Sequence, residues 1–336
     1  MRAIVIQRKL ELVETELPTP VPQDGEVRLR MAYGGICGSD LHYYHDGEIG
    51  AFVIREPLVP GHELAGTVDL DPSGDLTPGT PVTIHPATFG TPEAGIEDRP
   101  HLWPNGAYLG SASTWPHTQG GMSEFLVVSK QMIRTLPASL PLRRATLAEP
   151  LAVALHAVHI AGDVRGRRVL VSGSGPIGLL AAAAALAAGA GEVVSIDVLP
   201  GPLQRARALG VHHTIQVGTD EFPSASFDVV LECTGIAAAI NAALDAARRG
   251  GIVVQVGIPP NAPLGVNLSP LVTRELQLRG TLRFNDEIGH AIELLDADPR
   301  LEQVITHEYA ADQAVEAFAT ATDSESSGKV LISLWP

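Results

Sequence analysis

The stretch Arg168-Val-Leu-Val-Ser-Gly-Ser-Gly-Pro-Ile-Gly-Leu-Leu-Ala-Ala-Ala leaves a chain little choice of fold. It reads as a buried strand, a tight glycine turn and a helix of small residues. Gly173, Gly175 and Gly178 stand in G-x-G-x-x-G spacing, with Pro176 and Ile177 between the last two. The first glycine permits the turn, the second lets a pyrophosphate approach the backbone, and the third lets helix and strand pack closely. The spacing alone is common. Here a strand precedes it, and a second predicted strand, Glu192–Ile196, runs into Asp197, nineteen residues after Gly178. An acid at that point hydrogen-bonds the adenosine ribose and repels a 2′-phosphate, which favours NAD over NADP. The competing readings are an ordinary turn residue at Asp197 and an NADP site served by the downstream Arg205 and Arg207.

The alternation continues. The pattern predicts a helix over Pro202–Leu209, strands at His213–Val217 and Asp228–Glu232, a helix over Ile236–Arg248, a strand at Gly251–Val256 and a last strand within Thr273–Thr281. This is a doubly wound α/β Rossmann domain over 151–282, with its ligand at the carboxyl ends of the strands. Cys233 and Val256 fall at those ends, and Cys233 reads as a small buried residue beside the cofactor. Residues 1 to about 90 look different. Short alternating runs at Arg2–Ile6, Glu26–Ala32, Leu64–Asp69 and Pro81–Ile84, split by Pro, Gly and Asp turns, predict an irregular β-barrel-like domain.

From His85 to Gly121 the pattern dissolves into Pro, Gly, His and Trp, as lids, binding loops and subunit contacts do. The irregular spacing of His85, His101 and His117 argues against a second metal site among them. Strand signals return at Met122–Val128. Beyond Arg283, helices at Ile288–Leu295 and Ala311–Thr320 and a closing strand at Lys329–Leu334 should rejoin the N-terminal half. The expected catalytic domain is therefore discontinuous, 1–150 with 283–336, and a cleft separates it from the nucleotide domain.

Chemistry concentrates in Gly34-Gly-Ile-Cys-Gly-Ser-Asp-Leu-His, in Gly61-His-Glu and in Ala148-Glu-Pro. Thiolate, imidazole and carboxylate are zinc ligands. Spread over more than a hundred residues, they meet only in the folded chain, which suits a catalytic metal better than a local clip. A chain of 336 residues buries a core large enough to fold without one. Its two cysteines, Cys37 and Cys233, exclude a disulfide framework and point to a reducing, cytoplasmic compartment. The N-terminal run lacks a signal-peptide pattern, and the most apolar segment, Pro176–Ala190, falls short of the ~20 residues of a membrane span. With 23 Lys and Arg against 38 Asp and Glu, a net charge of −15, nucleic acid and anionic membranes are poor partners.

These motifs, with Ala148-Glu-Pro-Leu-Ala-Val-Ala-Leu-His and Leu278-Arg-Gly-Thr-Leu-Arg-Phe, stand in an order that resembles the zinc-dependent medium-chain alcohol and polyol dehydrogenases along essentially the whole chain. The branch it most resembles comprises the L-idonate 5-dehydrogenases and sorbitol dehydrogenases. The resemblance implies Cys37 and His62 as catalytic zinc ligands, Glu63 as a third ligand or close neighbour of the metal, and Glu149 binding directly or through water. Asp40 would orient His62. Ser39 would take the alcohol proton, and His42 would relay it to solvent through the cofactor ribose. Tyr43, Phe125, Arg283 and Phe284 would line the polyol site. Many relatives carry a second, structural zinc held by four closely spaced cysteines in the lobe that here spans about 85–121 and contains none, so one zinc per subunit is expected.

The implied reaction is NAD-linked oxidation of a secondary alcohol, with L-idonate to 5-ketogluconate ahead of sorbitol or xylitol. The implied assembly is a homodimer or homotetramer. A zinc-free NADPH-linked quinone or enone reductase and a non-enzymatic nucleotide-binding relative are the alternatives. Intact Cys37, His62, Glu149 and Asp197 argue against both.

Overall fold

In the computed structural model, which describes residues 1–335, a six-stranded and a seven-stranded sheet carry the architecture. The six-stranded sheet runs in the order His213–Gln216, Glu192–Asp197, Arg168–Ser172, Phe227–Glu232, Ala247–Gln255, Gln277–Gly280. Every pairing is parallel. Numbered within the sheet the order is 3-2-1-4-5-6, which reverses between Arg168–Ser172 and Phe227–Glu232 and opens a crevice at their carboxyl ends. Helices cover both faces, so the central strands are apolar on both sides: Val169, Leu170, Val171, Val229, Val230 and Leu231 are fully buried. The helix Pro176–Ala187 begins with proline at its first position and is buried from Gly178 to Ala185, so it has no need of a polar face.

Two sequence expectations shift here. The helix expected to reach Arg248 ends at Ala246, because Ala247 pairs with Phe227 and a bulge carries the strand on to Ile252. The last strand covers only Gln277–Gly280, because Ser269–Thr273 coil into a short helix with Pro270 in its first turn.

The seven-stranded sheet is mixed. Its order is Ile133–Thr135, Pro81–Ile84, Glu63–Leu70, Glu26–Gly35, Lys329–Ser333, Ile305–Ala310, with Phe125–Ser129 also pairing Glu26–Gly35. Glu26–Gly35 is the hub. In its register Gly35 lies opposite Glu63 on one side and Leu331 on the other. The hub therefore ends just before Cys37, beside the head of the strand that begins at Glu63 and near the head of the strand that begins at Lys329.

A helix, Gly38–His45, follows at once. Asp40 explains it: three residues after Cys37, its carboxylate accepts the Cys37 backbone N–H at 2.9 Å. The helix Ala148–Ala161 ends at Gly162, whose positive φ of 87° is a backbone conformation that glycine takes readily and other residues rarely do. It is buried along most of its length and shares one core with Ala65 and Leu331 of the mixed sheet and with the nucleotide-side strands. Among the described residues no helix is long and apolar enough to cross a membrane.

Candidate functional site

Cys37, His62 and Glu63 each bring one ligand atom to within 4.8 Å of the others. The register makes room for them. A Cβ on Gly35 would stand 2.2 Å from Glu63 Oε2, so only glycine fits opposite that carboxylate. Gly61, before His62, has a φ of 98°, and a side chain there would strike Met122. Glu63 is buried, and its Oε1 accepts from Lys329 Nζ at 2.6 Å. Its Oε2, like His62 Nδ1, is buried with no hydrogen-bond partner. Burial opposes a charge on His62, but the nearby Cys37 sulfur, Glu149 and Asp40 outweigh it and push the ring's pKa up to about 10. Surroundings that favour a proton on that ring equally favour a metal cation in its place. Unpartnered buried donors in a Cys, His, carboxylate set fit zinc.

Glu149, in the first turn of Ala148–Ala161, is buried just outside this trio. Its Oε1 accepts from the Tyr108 hydroxyl at 2.5 Å. Burial raises its pKa, and His62 partly counters this. Asp40 differs from expectation. Its carboxylate makes no hydrogen bond to the His62 ring. It accepts from Cys37 N–H, and from Gly61 N–H at 3.2 Å, so it ties together the backbone on either side of the cluster. Burial raises its pKa too, against a smaller opposing effect of His62.

Ser39 and His42 stand one turn apart on the helix after Cys37. Ser39 Oγ is buried and unpartnered. His42 is exposed, with Nδ1 3.0 Å from Asp46 Oδ2. Arg283 takes a left-handed φ of 51°, unusual for a long side chain, and its guanidinium lies 3.9 Å over the Tyr108 ring. A cavity of about 450 Å³ opens beside it, lined among others by Phe52, Phe89, Ala107 and Phe284.

Two residues expected to line a substrate site do other work. Phe125 lies between the guanidinium groups of Arg28 and Arg30, on the strand face opposite the core-facing Leu126. Tyr43 is buried, and its hydroxyl accepts the Ala112 N–H at 3.0 Å, anchoring that loop. Phe284 packs its buried ring on His85, 4.6 Å between centroids.

At the other sheet, Gly173 has a φ of 88°, and a Cβ there would lie 2.6 Å from Thr234. A Cβ on Gly178 would lie 1.8 Å from the Gly173 carbonyl. Gly175 caps the helix, and its missing Cβ faces open space. Pro176 gives up an N–H the helix has no use for, and Ile177 and Gly178 follow it in the first turn, so an anion can settle on that end. The chemistry of this turn fits a pyrophosphate.

Asp197 closes its strand and is held by the N–H groups of Ser174 at 2.8 Å and Leu199 at 3.0 Å. Each of its oxygens keeps a lone pair for a ribose hydroxyl. Arg205 is committed elsewhere, donating to the carbonyls of Ser324, Glu325, Ser326 and Ser327. Cys233 donates its N–H to Ser172 O and Val256 to Glu232 O, both 2.8 Å, beside the Thr234-Gly235 turn. Burial pushes the Cys233 thiol pKa far up, which disfavours the reactive thiolate.

Sequence reasoning missed three residues of the site. Lys329 is buried and also donates to Ile36 O at 2.9 Å; a lone lysine heading the apolar run Val330-Leu-Ile was the available signal. Tyr108 sits in the irregular lobe, edge-on to His62 at 5.4 Å. Glu232, buried at the end of an apolar strand, accepts from Thr234 N–H, Gly235 N–H and Gln255 Nε2 and so shapes the turn against Gly173.

Comparison with known proteins agrees with this chemistry. Residues 23–138 match the alcohol dehydrogenase GroES-like domain and 176–297 the zinc-binding dehydrogenase domain. The chain is 33% identical to the L-idonate 5-dehydrogenase (NAD(P)(+)) of Escherichia coli, over 98% of this chain and 97% of that one. It is 35% identical to the sorbitol dehydrogenase of Gallus gallus, over 96% and 94% of the two chains. The crystal structure of the Escherichia coli L-idonate 5-dehydrogenase superposes with a TM-score of 0.94 at 32% identity, covering 99% of this chain and 97% of that one.

Proposed function

Because the chain belongs to the zinc-binding alcohol dehydrogenase family, we propose that it is an NAD-linked sugar-acid dehydrogenase that oxidises L-idonate to 5-ketogluconate. The family is that of the polyol and sugar-acid dehydrogenases, oxidoreductases acting on alcohol groups. One observation carries the choice of a sugar acid. Arg283 is the cation packed on Tyr108, and among the described residues it makes no ion pair or hydrogen bond. Tyr108 in turn touches both His62 and Glu149. A guanidinium free to take a carboxylate thus stands one ring away from the metal-type cluster.

Cys37, His62 and Glu63 would hold the zinc, with Glu149 as an outer carboxylate. When bound, zinc supplies a Lewis acid that makes an alcohol proton acidic near neutral pH, and the nicotinamide supplies the hydride acceptor. Ser39 Oγ, buried and unpartnered, accepts the alcohol proton. His42, a turn later and exposed beside Asp46, passes it to solvent. Gly173, Gly175 and Gly178 admit the pyrophosphate, and Asp197 selects NAD.

A neutral polyol is the second reading, favoured by the likeness to sorbitol dehydrogenase and by the ability of Arg283 to donate to hydroxyls. NADH formation from L-idonate and sorbitol, side by side, tests the choice. A kcat/KM ratio of ~100 for idonate, about 2.7 kcal/mol, that collapses in Arg283→Ala is expected. A preference for sorbitol sinks the sugar-acid reading, and full activity in Cys37→Ser sinks the zinc assignment.

A further inference from the structure

We propose a second metal site, built by His156, His159 and Glu287, that takes zinc or a chemically similar divalent transition-metal ion. His156 and His159 lie one turn apart on Ala148–Ala161 and point the same way. Glu287 stands immediately before the helix Ile288–Ala297 and meets them there. Its Oε1 is 2.7 Å from His156 Nδ1 and 3.2 Å from His159 Nδ1. One ligand atom from each residue lies within 4.8 Å of the others. None of the three belongs to the Cys37 cluster.

An ion pair alone would account for one imidazole on one carboxylate, but here two imidazoles share a single oxygen. A third, His101, packs edge-on against His156 with centroids 4.9 Å apart. Its Nδ1 is buried and has no hydrogen-bond partner. Two imidazoles on one carboxylate, with a third imidazole packed beside them, form a nitrogen-rich donor set of the kind zinc takes. The other Glu287 oxygen accepts the N–H groups of Asn285 and Asp286, the outer hydrogen bonding that fixes a ligating carboxylate. His159 is 77% exposed in its side chain and Glu287 only 14%, so an ion has a route in and a sheltered seat.

The location gives the site a purpose. It joins the lobe carrying His101, the helix Ala148–Ala161 and the segment from Arg283 to Glu287. Arg283, four residues before Glu287, holds its left-handed backbone inside that segment. A metal here pins the segment to the helix that also carries Glu149.

Metal content of the purified full-length protein, loaded with zinc and dialysed, is the test. Two zinc ions per chain are expected in the wild type, one in Cys37→Ala, one in His159→Ala and none in the double variant. His159 is exposed, so its removal spares the core; Glu287→Gln, if it folds, should match it. Cobalt loaded into Cys37→Ala should give visible bands of a thiolate-free site that vanish in the double variant. One zinc per chain in both wild type and His159→Ala, or two in both, overturns the proposal. An unchanged content in Cys37→Ala would instead count against the Cys37 cluster, so the two assignments fail separately.

Discussion

Ser39 offers the most direct reading of a single atom. Its hydroxyl is buried and unpartnered, and a protein gains no stability from such a group. Ser39→Ala should therefore leave the urea midpoint unchanged or slightly raised while kcat falls by ~10²–10⁴-fold, the usual worth of a positioned proton acceptor. Equal losses of stability and rate would make Ser39 a packing residue. Lys329 is the opposite case, a buried charge with a partner. Burial disfavours its charge, but Glu63 overrides that and holds its pKa above the ordinary lysine value. A raised pKa stabilises below the unfolded value of ~10.4 and is lost only as pH rises through the higher folded value, so the pair is intact at neutral pH. Lys329→Met strands a buried carboxylate and should cost about 3–5 kcal/mol in equilibrium unfolding. Adding Glu63→Gln should recover part of that loss; no recovery would mean the two residues act independently. The contrast between these residues marks what a sequence discloses. Cys37, His62 and Glu63 announce themselves by ligand chemistry. Lys329 and Tyr108 enter the site from the C-terminal strand and an irregular lobe, where no local pattern connects them to it. The partners of Asp40 were hidden for the same reason, since the Gly61 N–H reaches it only across the fold.

At the level of elements, the strand, glycine turn and helix from Arg168 to Ala187 separate folding from binding. Gly178 and Gly175 are both glycine, but for different reasons. A methyl group on Gly178 would collide with the Gly173 carbonyl, whereas one on Gly175 meets nothing within 4 Å. Gly178→Ala should destabilise by about 1–3 kcal/mol, the range for forcing atoms into a packed contact. Gly175→Ala should unfold within ~0.5 kcal/mol of the wild type yet raise the NAD KM by about tenfold or more, because the methyl occupies the pyrophosphate approach. Thermal melts and NAD titrations of the two variants check this, and a Gly175→Ala enzyme with unchanged KM would move the cofactor off this turn. These elements were legible because strands buried on both faces are continuous apolar runs. Others were not. Glu11–Glu16 and Ile305–Ala310 form strands whose charged and polar positions blur the alternation. Gly38–His45 opens on a glycine that reads as a turn, and only the Asp40 cap reveals the helix. The strand carrying Phe125 was visible, but not which of its faces meets the core, and a one-residue difference in that choice turns a liner into a surface residue.

The whole molecule acts on its substrate before any residue does. A net charge of −15 surrounds the chain with a field that repels anions, and a sugar acid is an anion. Arg283 offsets this only at contact range, because it is a lone guanidinium packed on Tyr108, whose hydroxyl is held by the buried carboxylate Glu149. The two effects respond differently to salt. The Debye length is ~30 Å at 0.01 M and ~8 Å at 0.15 M, so added salt removes the long-range repulsion while a partly buried contact is screened much less. For L-idonate, with NAD saturating, kcat/KM should therefore rise several-fold between these ionic strengths, with kcat nearly constant. For sorbitol, which carries no charge, the same titration should be flat. In Arg283→Ala the idonate value should be lower throughout but keep the same upward slope, because the slope belongs to the global field and the offset to the contact. A falling idonate curve would mean that attraction at the mouth of the site outweighs the molecule's overall charge. That would place further cations around the cleft and make substrate capture, rather than the contact with Arg283, the source of acid selectivity.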